Sequence, residues 1–221
     1  VLWPEQEDAV AGLVQAYDED GFQRRLLWGV TGSGKTEVYL RLLAHALERH
    51  EGAILLVPEI ALTPQMIGRV KRRFGERVAE WHSGLSKGER KREYARVAAG
   101  AATIVVGARS AVFAPVRDLR LIVVDEAHES SYKQEEEPRY NAVTVAALRL
   151  QPQGGLLLEG TATPAVESMR EPRERLRLSR RAVGAEPECE VVDMRRQGPG
   201  LLLAPYAREA LAETMRRGEQ A

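Results

Sequence analysis

At 221 residues with 44% hydrophobic side chains, the chain suffices for one large domain, or one domain with an extension, around a substantial core. Its 32 basic and 32 acidic residues cancel, so net charge alone makes no case for nucleic acid. A single cysteine, Cys189, excludes an internal disulfide and a cysteine zinc cluster. No run approaches the roughly 20 apolar residues that cross a bilayer, so no membrane association is expected. The opening Val1-Leu2-Trp3-Pro4-Glu5 lacks a basic run before an apolar core, which argues against a secretory signal. A start at valine suggests a piece of a longer protein, and a cytoplasmic location fits best.

In chain order, residues 5–20 hold six acids and no base. Short apolar runs predict strands at Leu26–Trp28, Ala53–Val57, Arg77–Trp81, Thr103–Val106, Leu119–Val124 and Leu156–Leu158. Amphipathic stretches at about 35–50, 64–74, 87–99 and 141–150 predict helices between them. The alternation predicts an α/β fold, a parallel β-sheet with helices on both faces. Leu121–Val124, apolar throughout, reads as a strand buried on both sides. Thr63-Pro64 and Thr163-Pro164 each offer an N-cap hydroxyl and a first-turn proline. Such tips serve either as simple caps or as phosphate sites. Arg69, Lys71, Arg72, Arg73 and Arg77 face only Glu76 in sequence, and residues 170–181 carry six arginines. These patches read either as solvated faces or as sites for a phosphate backbone. After about residue 182 the pattern thins, with a short strand expected at Glu190–Met194 and a helix at Pro205–Arg217.

Two motifs carry chemistry. Gly29-Val30-Thr31-Gly32-Ser33-Gly34-Lys35-Thr36 follows a strand and precedes a helix, with the spacing G-x-x-x-x-G-K-[ST]. Its glycines let backbone N–H groups turn toward phosphates. Lys35 reaches the terminal phosphates, and the Thr36 hydroxyl can ligate Mg²⁺. About 90 residues later the strand Leu121–Val124 delivers Asp125 and Glu126. Asp125 suits holding Mg²⁺, and Glu126 suits orienting a water for attack. Together these specify a nucleotide triphosphatase of the helicase kind, with ATP and Mg²⁺ as cofactors.

Asp125-Glu126-Ala127-His128 resembles the DEAH form of the second motif of superfamily-two helicases. GVTGSGKTEVYL at Gly29–Leu40, VPEIALTPQ at Val57–Gln65, WHSGLS at Trp81–Ser86, GARSAVFAP at Gly107–Pro115, SSYKQ at Ser130–Gln134 and GTATPAVES at Gly160–Ser168 are similar to the primosomal replication-restart branch of that superfamily. The similarity runs over essentially the whole chain. It implies a RecA-like P-loop NTPase lobe at residues 1–182, with 183–221 leading toward a second lobe.

The resemblance also implies roles. Gln6 matches the glutamine that reads adenine. Pro58, Thr63, Gln65, Arg109 and Ser110 fall in segments that touch the DNA backbone. Tyr132, Lys133, Arg139 and Tyr140 lie in a loop that senses single-stranded DNA, where bases can stack. His128, Gly160, Thr161, Ala162 and Thr163 couple hydrolysis to lobe movement. The implied activity is ATP-driven 3′-to-5′ movement on forked and single-stranded DNA at stalled forks, with single-stranded DNA-binding protein and primosome proteins as partners. A second lobe supplying an arginine, and a zinc region, are implied only beyond this chain. The sequence departs from the family after Arg139-Tyr140, where Asn141-Ala142-Val143-Thr144 replaces a histidine, arginine and aspartate pattern. Glu135-Glu136-Glu137 also places three acids in that loop. Two alternatives stand beside this reading: another superfamily-two DNA translocase, and an ATP- or DNA-binding module without turnover of its own.

Overall fold

In a computed structural model describing residues 2–170, 174–181, 191–193, 195 and 203–218, the apolar runs line up as one parallel sheet. The chain divides into two units, residues 1–184 and 185–221. The first unit runs α1 (Pro4–Asp18), β1 (Phe22–Gly29), α2 (Lys35–Glu48), β2 (Gly52–Leu56), α3 (Pro64–Phe74), β3 (Val78–Trp81), α4 (Lys87–Ala98), β4 (Ile104–Gly107) and β5 (Leu119–Val124). A short antiparallel pair follows, β6 (Lys133–Gln134) and β7 (Tyr140–Asn141), and then α5 (Ala142–Leu150), β8 (Gly155–Thr161), α6 (Val166–Arg170) and β9 (Glu174–Leu178). The large sheet has the order β3-β4-β2-β5-β8-β1-β9, every pairing parallel.

Alternate residues of each central strand feed opposite cores, as the strand period requires. Leu55, Leu121 and Val123 pack with Leu13 of α1, Leu42 of α2 and Val70 of α3. Ile54, Ile122 and Val124 pack with Val97 of α4, Ala146 of α5 and Val112. Because the strands are parallel, their C-terminal ends share one edge, where ligands of open α/β sheets bind. Helix α4 starts on a capping box, Ser86 with Glu89. Helix α5 starts on Asn141, whose Oδ1 accepts from Val143 N at 2.8 Å. The departure at Asn141 thus caps a helix.

The six expected strands and the helices at 35–50, 64–74, 87–99 and 141–150 are present with boundaries shifted by a few residues. Helix α1, strand β9 and the short pair of β6 and β7 were not foreseen. Helix α1 lies within the acid-rich start, and its Ala9, Leu13, Ala16 and Tyr17 are buried at helical spacing. Strand β9 lies within the arginine-rich stretch, where only Leu178 is buried and Leu176 packs partly against the core. Strand β8 continues past the expected end at Leu158 because buried Glu159 is paired, Arg24 Nε to Glu159 Oε1 at 2.7 Å.

Thr63 caps α3 as expected, accepting from Met66 N at 3.2 Å. Helix α6 begins at Val166, three residues after Thr163, whose N–H donates to Thr161 Oγ1 at 3.1 Å. The strand expected at Glu190–Met194 falls at its ends outside the described residues, and residues 191–193 carry no regular structure. Cys189 also lies outside them. In the second unit, helix α7 spans Pro205–Arg216.

Candidate nucleotide site and nucleic-acid face

The phosphate loop turns back at the end of β1 through Gly32 (φ 79°) and Gly34 (φ 83°), both in the left-handed region. A Cβ on Gly29 would lie 2.5 Å from Ser33 Oγ, so the tight return needs glycine there too. Lys35 opens α2, buried at 7% exposure, with Nζ donating to Gly29 O at 3.0 Å and standing 3.5 Å from Glu126 Oε1. Ser33 Oγ is buried without a hydrogen-bond partner among the described residues. A glycine-rich loop with an unsatisfied hydroxyl, opening a helix, fits a phosphate group.

Gln6 is not an ordinary surface glutamine. It is 5% exposed, its Nε2 donates to Ser33 O at 2.9 Å, and its Oε1 accepts from Trp3 N at 3.0 Å. The same side chain therefore ties the start of α1 to the phosphate loop. A cleft of about 230 Å³ opens beside it, lined by Trp3, Pro4, Gln6, Ser33, Leu178 and Arg180. Its apolar floor and aromatic wall suit a planar base.

Asp125 leaves β5 with its N–H donating to Leu56 O at 2.8 Å, continuing the ladder to β2. Its Oδ1 accepts from Tyr39 Oη at 2.9 Å and from Glu126 N at 3.0 Å. Burial pushes the Asp125 carboxyl above its ordinary value, the Tyr39 hydrogen bond pulls it down by less, and the Glu126 charge adds to the rise. Burial and the Asp125 charge likewise push the Tyr39 hydroxyl well up, so it stays a donor. Glu126 has φ 43°, the left-handed region for a residue with a Cβ, at a cost of about 1–3 kcal/mol. Its carboxylate faces both Lys35 and the end of β8, with Ala162 N donating to Oε2 at 3.4 Å.

The residues expected to couple hydrolysis to movement converge on the same place. His128 Nδ1 and Thr161 Oγ1 share a hydrogen bond at 2.8 Å, and Ala127 N donates to Gly160 O at 2.9 Å. Ala162 O accepts from Trp28 Nε1 at 3.1 Å. Three strands, β1, β5 and β8, thus carry one bonded cluster.

A second cleft, about 660 Å³, runs from the phosphate loop to the acidic pair. Its far wall is α3, through Arg69, Arg72 and Arg73, which share one helix face at i, i+3 and i+4. Arg73 Nη1 lies 2.9 Å from Glu37 Oε1, docking α3 onto α2, while Lys71 turns away to pair with Glu80. Burial alone would raise the Glu37 carboxyl, but hydrogen bonds from Arg73 and Arg41 outweigh it and hold it below the ordinary value. The arginine patch of α3 therefore faces the nucleotide cleft, a direction its sequence did not reveal. The oxygen donors Thr36 and Asp125 suit Mg²⁺, which keeps waters and phosphate ligands and needs no protein cage. No cluster of three metal-binding side chains occurs among the described residues.

On the other side of the β2 and β5 ends lies a third cleft of about 580 Å³, lined by Trp81, His82, Arg109, Ser110, Phe113 and Tyr140 among others. Several expected DNA contacts change here. Pro58 is buried, and its carbonyl accepts from Ala61 N and Leu62 N, so it shapes a turn and presents no surface. Tyr132 is 2% exposed, with its hydroxyl donating to Asp125 O at 2.6 Å, so it cannot stack on bases in this structure. Arg109 Nη1 donates to Ser131 O at 3.2 Å and Lys133 O at 3.0 Å, bracing the loop after the acidic pair. Thr63, Gln65 and Ser110 are exposed. Lys133 and Arg139 are exposed beside Glu135 and Glu137, at 3.8 and 3.4 Å. Tyr140 meets Phe113 edge to face at 4.9 Å, with the Arg109 guanidinium 5.7 Å from its ring. Phe113, 53% exposed, was missed as a candidate. Its signal was an aromatic residue following Arg109-Ser110 within the same turn.

A phosphate loop on β1, an acidic pair on β5 and a threonine-bearing turn on β8, all at one edge of a parallel sheet, define a P-loop NTPase lobe of the superfamily-two helicase class. The chain belongs to the family described as type III restriction enzyme, res subunit, whose sequence model matches residues 1–166. It is PriA-like in sequence, 45% identical over its whole length to the replication restart protein PriA of Bacillus subtilis (strain 168). It is 41% identical over 90% of its length to that of Synechocystis sp. (strain ATCC 27184 / PCC 6803 / Kazusa). It spans only 28% and 26% of those two relatives. In fold it is similar to RecG bound to a three-way DNA junction (TM-score 0.61, 19% identity, 80% of this chain and 24% of that one). It is also similar to the Pyrococcus furiosus Hef helicase domain (TM-score 0.57, 21% identity, 79% and 37%).

Proposed function

We propose that this chain is the ATP-binding lobe of a PriA-type DNA helicase that hydrolyses MgATP to move 3′-to-5′ on DNA at stalled forks. Residues 1–182 form the lobe in this reading, and 183–221 lead toward a second one. The observation that carries it is the meeting of Lys35, Asp125, Glu126 and Ala162 at one sheet edge, with Lys35 Nζ 3.5 Å from Glu126 Oε1 and Ala162 N 3.4 Å from Oε2. Gly29–Thr36 and Lys35 hold the phosphates, and Gln6 faces the base. Thr36 and Asp125 hold Mg²⁺, which when bound offsets charge developing on the transferred phosphoryl group. Glu126 orients the water and receives its proton. Its second oxygen reports the state of the site to Ala162, and His128 ties the acidic loop to Thr161. Forked and single-stranded DNA pass the face bearing Thr63, Gln65, Ser110, Phe113 and Tyr140. Single-stranded DNA-binding protein and primosome proteins are the partners, in the cytoplasm. Zinc plays no part within these residues, which include one cysteine.

The test is calorimetric titration with MgATP, followed by ATP hydrolysis with and without forked DNA. Lys35→Ala is expected to remove most nucleotide affinity; unchanged binding would refute the site. The chain alone is expected to turn over poorly, because an arginine from a second lobe contributes about 10³–10⁵ in rate in related enzymes. Brisk single-turnover hydrolysis by the monomer would overturn that half-motor reading. Because the family's description is of a restriction subunit, a repair or restriction translocase is the competing assignment. Stimulation by linear duplex equal to that by forked DNA would favour it.

A further inference from the structure

Tyr39 belongs to neither the phosphate loop nor the acidic motif, yet it is bonded to the second. It follows Lys35 by one helical turn on α2, so the two side chains share a face over the sheet edge. Its ring is wholly buried, and its hydroxyl reaches Asp125 Oδ1 at 2.9 Å. Glu126 N donates to the same oxygen at 3.0 Å. Among the described residues Oδ2 receives no hydrogen bond. One carboxylate oxygen is therefore anchored twice and the other is left to face the cleft. Space for this contact comes from β8: a Cβ on Gly160 would lie 1.7 Å from Tyr39 Oη and 2.7 Å from its Cζ.

We propose that Tyr39 is a positioning residue that aims Asp125 Oδ2 at the Mg²⁺ of bound nucleotide, and that Gly160 lacks a side chain to admit it. The proposal rests on the nucleotide-site reading above. An unanchored carboxylate rotates freely and binds a hard cation through either oxygen or neither. The Tyr39 hydroxyl and the Glu126 amide remove that freedom before the metal arrives, as outer-shell hydrogen bonds to metal ligands do. Because Gly160 lies near the end of β8, just before Thr161 and Ala162, a shift of β8 there presses on Tyr39 and so on the metal carboxylate. The contact thus links the metal site to the end of β8 without passing through nucleotide.

The experiment is binding of a fluorescent ATP analogue to the whole chain across a Mg²⁺ series, for wild type, Tyr39→Phe, Asp125→Asn and the double variant. Tyr39→Phe keeps the ring and is expected to bind nucleotide in EDTA as wild type does. Its Mg²⁺ midpoint is expected to rise about 10–100-fold, the usual loss for an outer-shell partner. In the Asp125→Asn background the same change is expected to have no further effect. A Tyr39→Phe midpoint within about twofold of wild type, or an equal shift in both backgrounds, overturns the proposal. Wild-type protein that binds no nucleotide, or binding untouched by Lys35→Ala, overturns the site reading and this proposal together. A folded Tyr39→Phe with weaker binding in EDTA as well as in Mg²⁺ assigns Tyr39 to packing of the loop and overturns it too.

Discussion

Gly160→Ala tests the packing at the centre of the site. Gly160 is absent from the glycines with positive φ, so alanine meets no backbone strain and the whole effect comes from the methyl group. That methyl would sit 1.7, 2.7 and 3.2 Å from Oη, Cζ and Cε1 of Tyr39. Tyr39 has nowhere to retreat, being 0% exposed and clasped between α2 and β8. Overpacking a tight core costs about 1–3 kcal/mol. Displacing the hydroxyl breaks a hydrogen bond to a carboxylate, worth about 1.5–3 kcal/mol. The sum, about 2.5–6 kcal/mol, lowers the melting temperature by on the order of 10 °C for a domain of this size. Thermal and urea unfolding of Gly160→Ala, with Tyr39→Phe/Gly160→Ala beside it, measures the effect. The double variant removes the 1.7 Å clash and is expected to recover part of the loss. Wild-type stability for Gly160→Ala, or no recovery in the double variant, would show that Tyr39 is not what Gly160 accommodates.

Asp125→Asn is expected to stabilise the nucleotide-free chain at neutral pH while weakening Mg²⁺-dependent binding. Burial raises the folded-state carboxyl above its unfolded value, so the protonated form's advantage is full below the unfolded pKa and lost as pH rises through the folded one. Above that point the ionised group opposes folding, and asparagine, which can keep the Oδ1 acceptor, does not. The melting difference should therefore vanish toward the ordinary aspartate range, and a destabilised Asp125→Asn at neutral pH would contradict the reasoning. Arg69→Gln with Arg72→Gln is expected to weaken MgATP binding more than MgADP binding, since both line the cleft beyond the phosphate loop. Equal loss for the two nucleotides, read by competition, would place these arginines away from the terminal phosphate. Phe113→Ala is expected to reduce single-stranded DNA affinity by about 5–150-fold, the worth of about 1–3 kcal/mol for one stacked base, whereas a folded Tyr132→Leu, which also removes a ring, should change it little. Filter binding that reverses this order would restore Tyr132 as the stacking residue.

What the sequence made legible is what depends on residue type at fixed spacing. The loop Gly29–Thr36 and the pair Asp125-Glu126 announce themselves because phosphate and metal chemistry need those groups in that order. The central strands are equally plain, since Leu121–Val124 must be apolar on both faces. Elements whose identity rests on a partner were hidden. Glu159 reads as the end of a strand until Arg24 is seen beside it. Helix α1 looks like an acidic surface segment, because its buried stripe is partly Ala9 and Ala16, residues too small to stand out. Strand β9 sits at the sheet edge and needs only one apolar face, so its arginines dominate the reading. Tyr132 and Phe113 are the sharpest pair. Both are aromatics near basic residues, and nothing local says which is buried; the 3-10 turn at Ser130–Tyr132 points one at Asp125 O and leaves the other exposed.

Glu126 shows why a strained backbone is retained at this point, one of three non-glycine positions of positive φ among the described residues, with His50 and Asp118. With ordinary φ the chain would leave β5 extended, and the carboxylate would follow the strand direction away from Lys35. At φ 43° the chain turns back, Ala127 N reaches Gly160 O, and the carboxylate stands between Lys35 Nζ and Ala162 N. Glycine would adopt that backbone without cost but would bring no carboxylate. The strain, about 1–3 kcal/mol, is therefore the cost of setting a charged group in contact with the phosphate loop on one side and the β8 turn on the other. If Lys35 holds the terminal phosphate as proposed, a charge change there would alter its pull on Oε1. The same carboxylate would then alter its hold on Ala162 N through Oε2. In the proposed reading, the two oxygens of this one side chain are the route by which the nucleotide's state would be felt at Thr161 and Ala162.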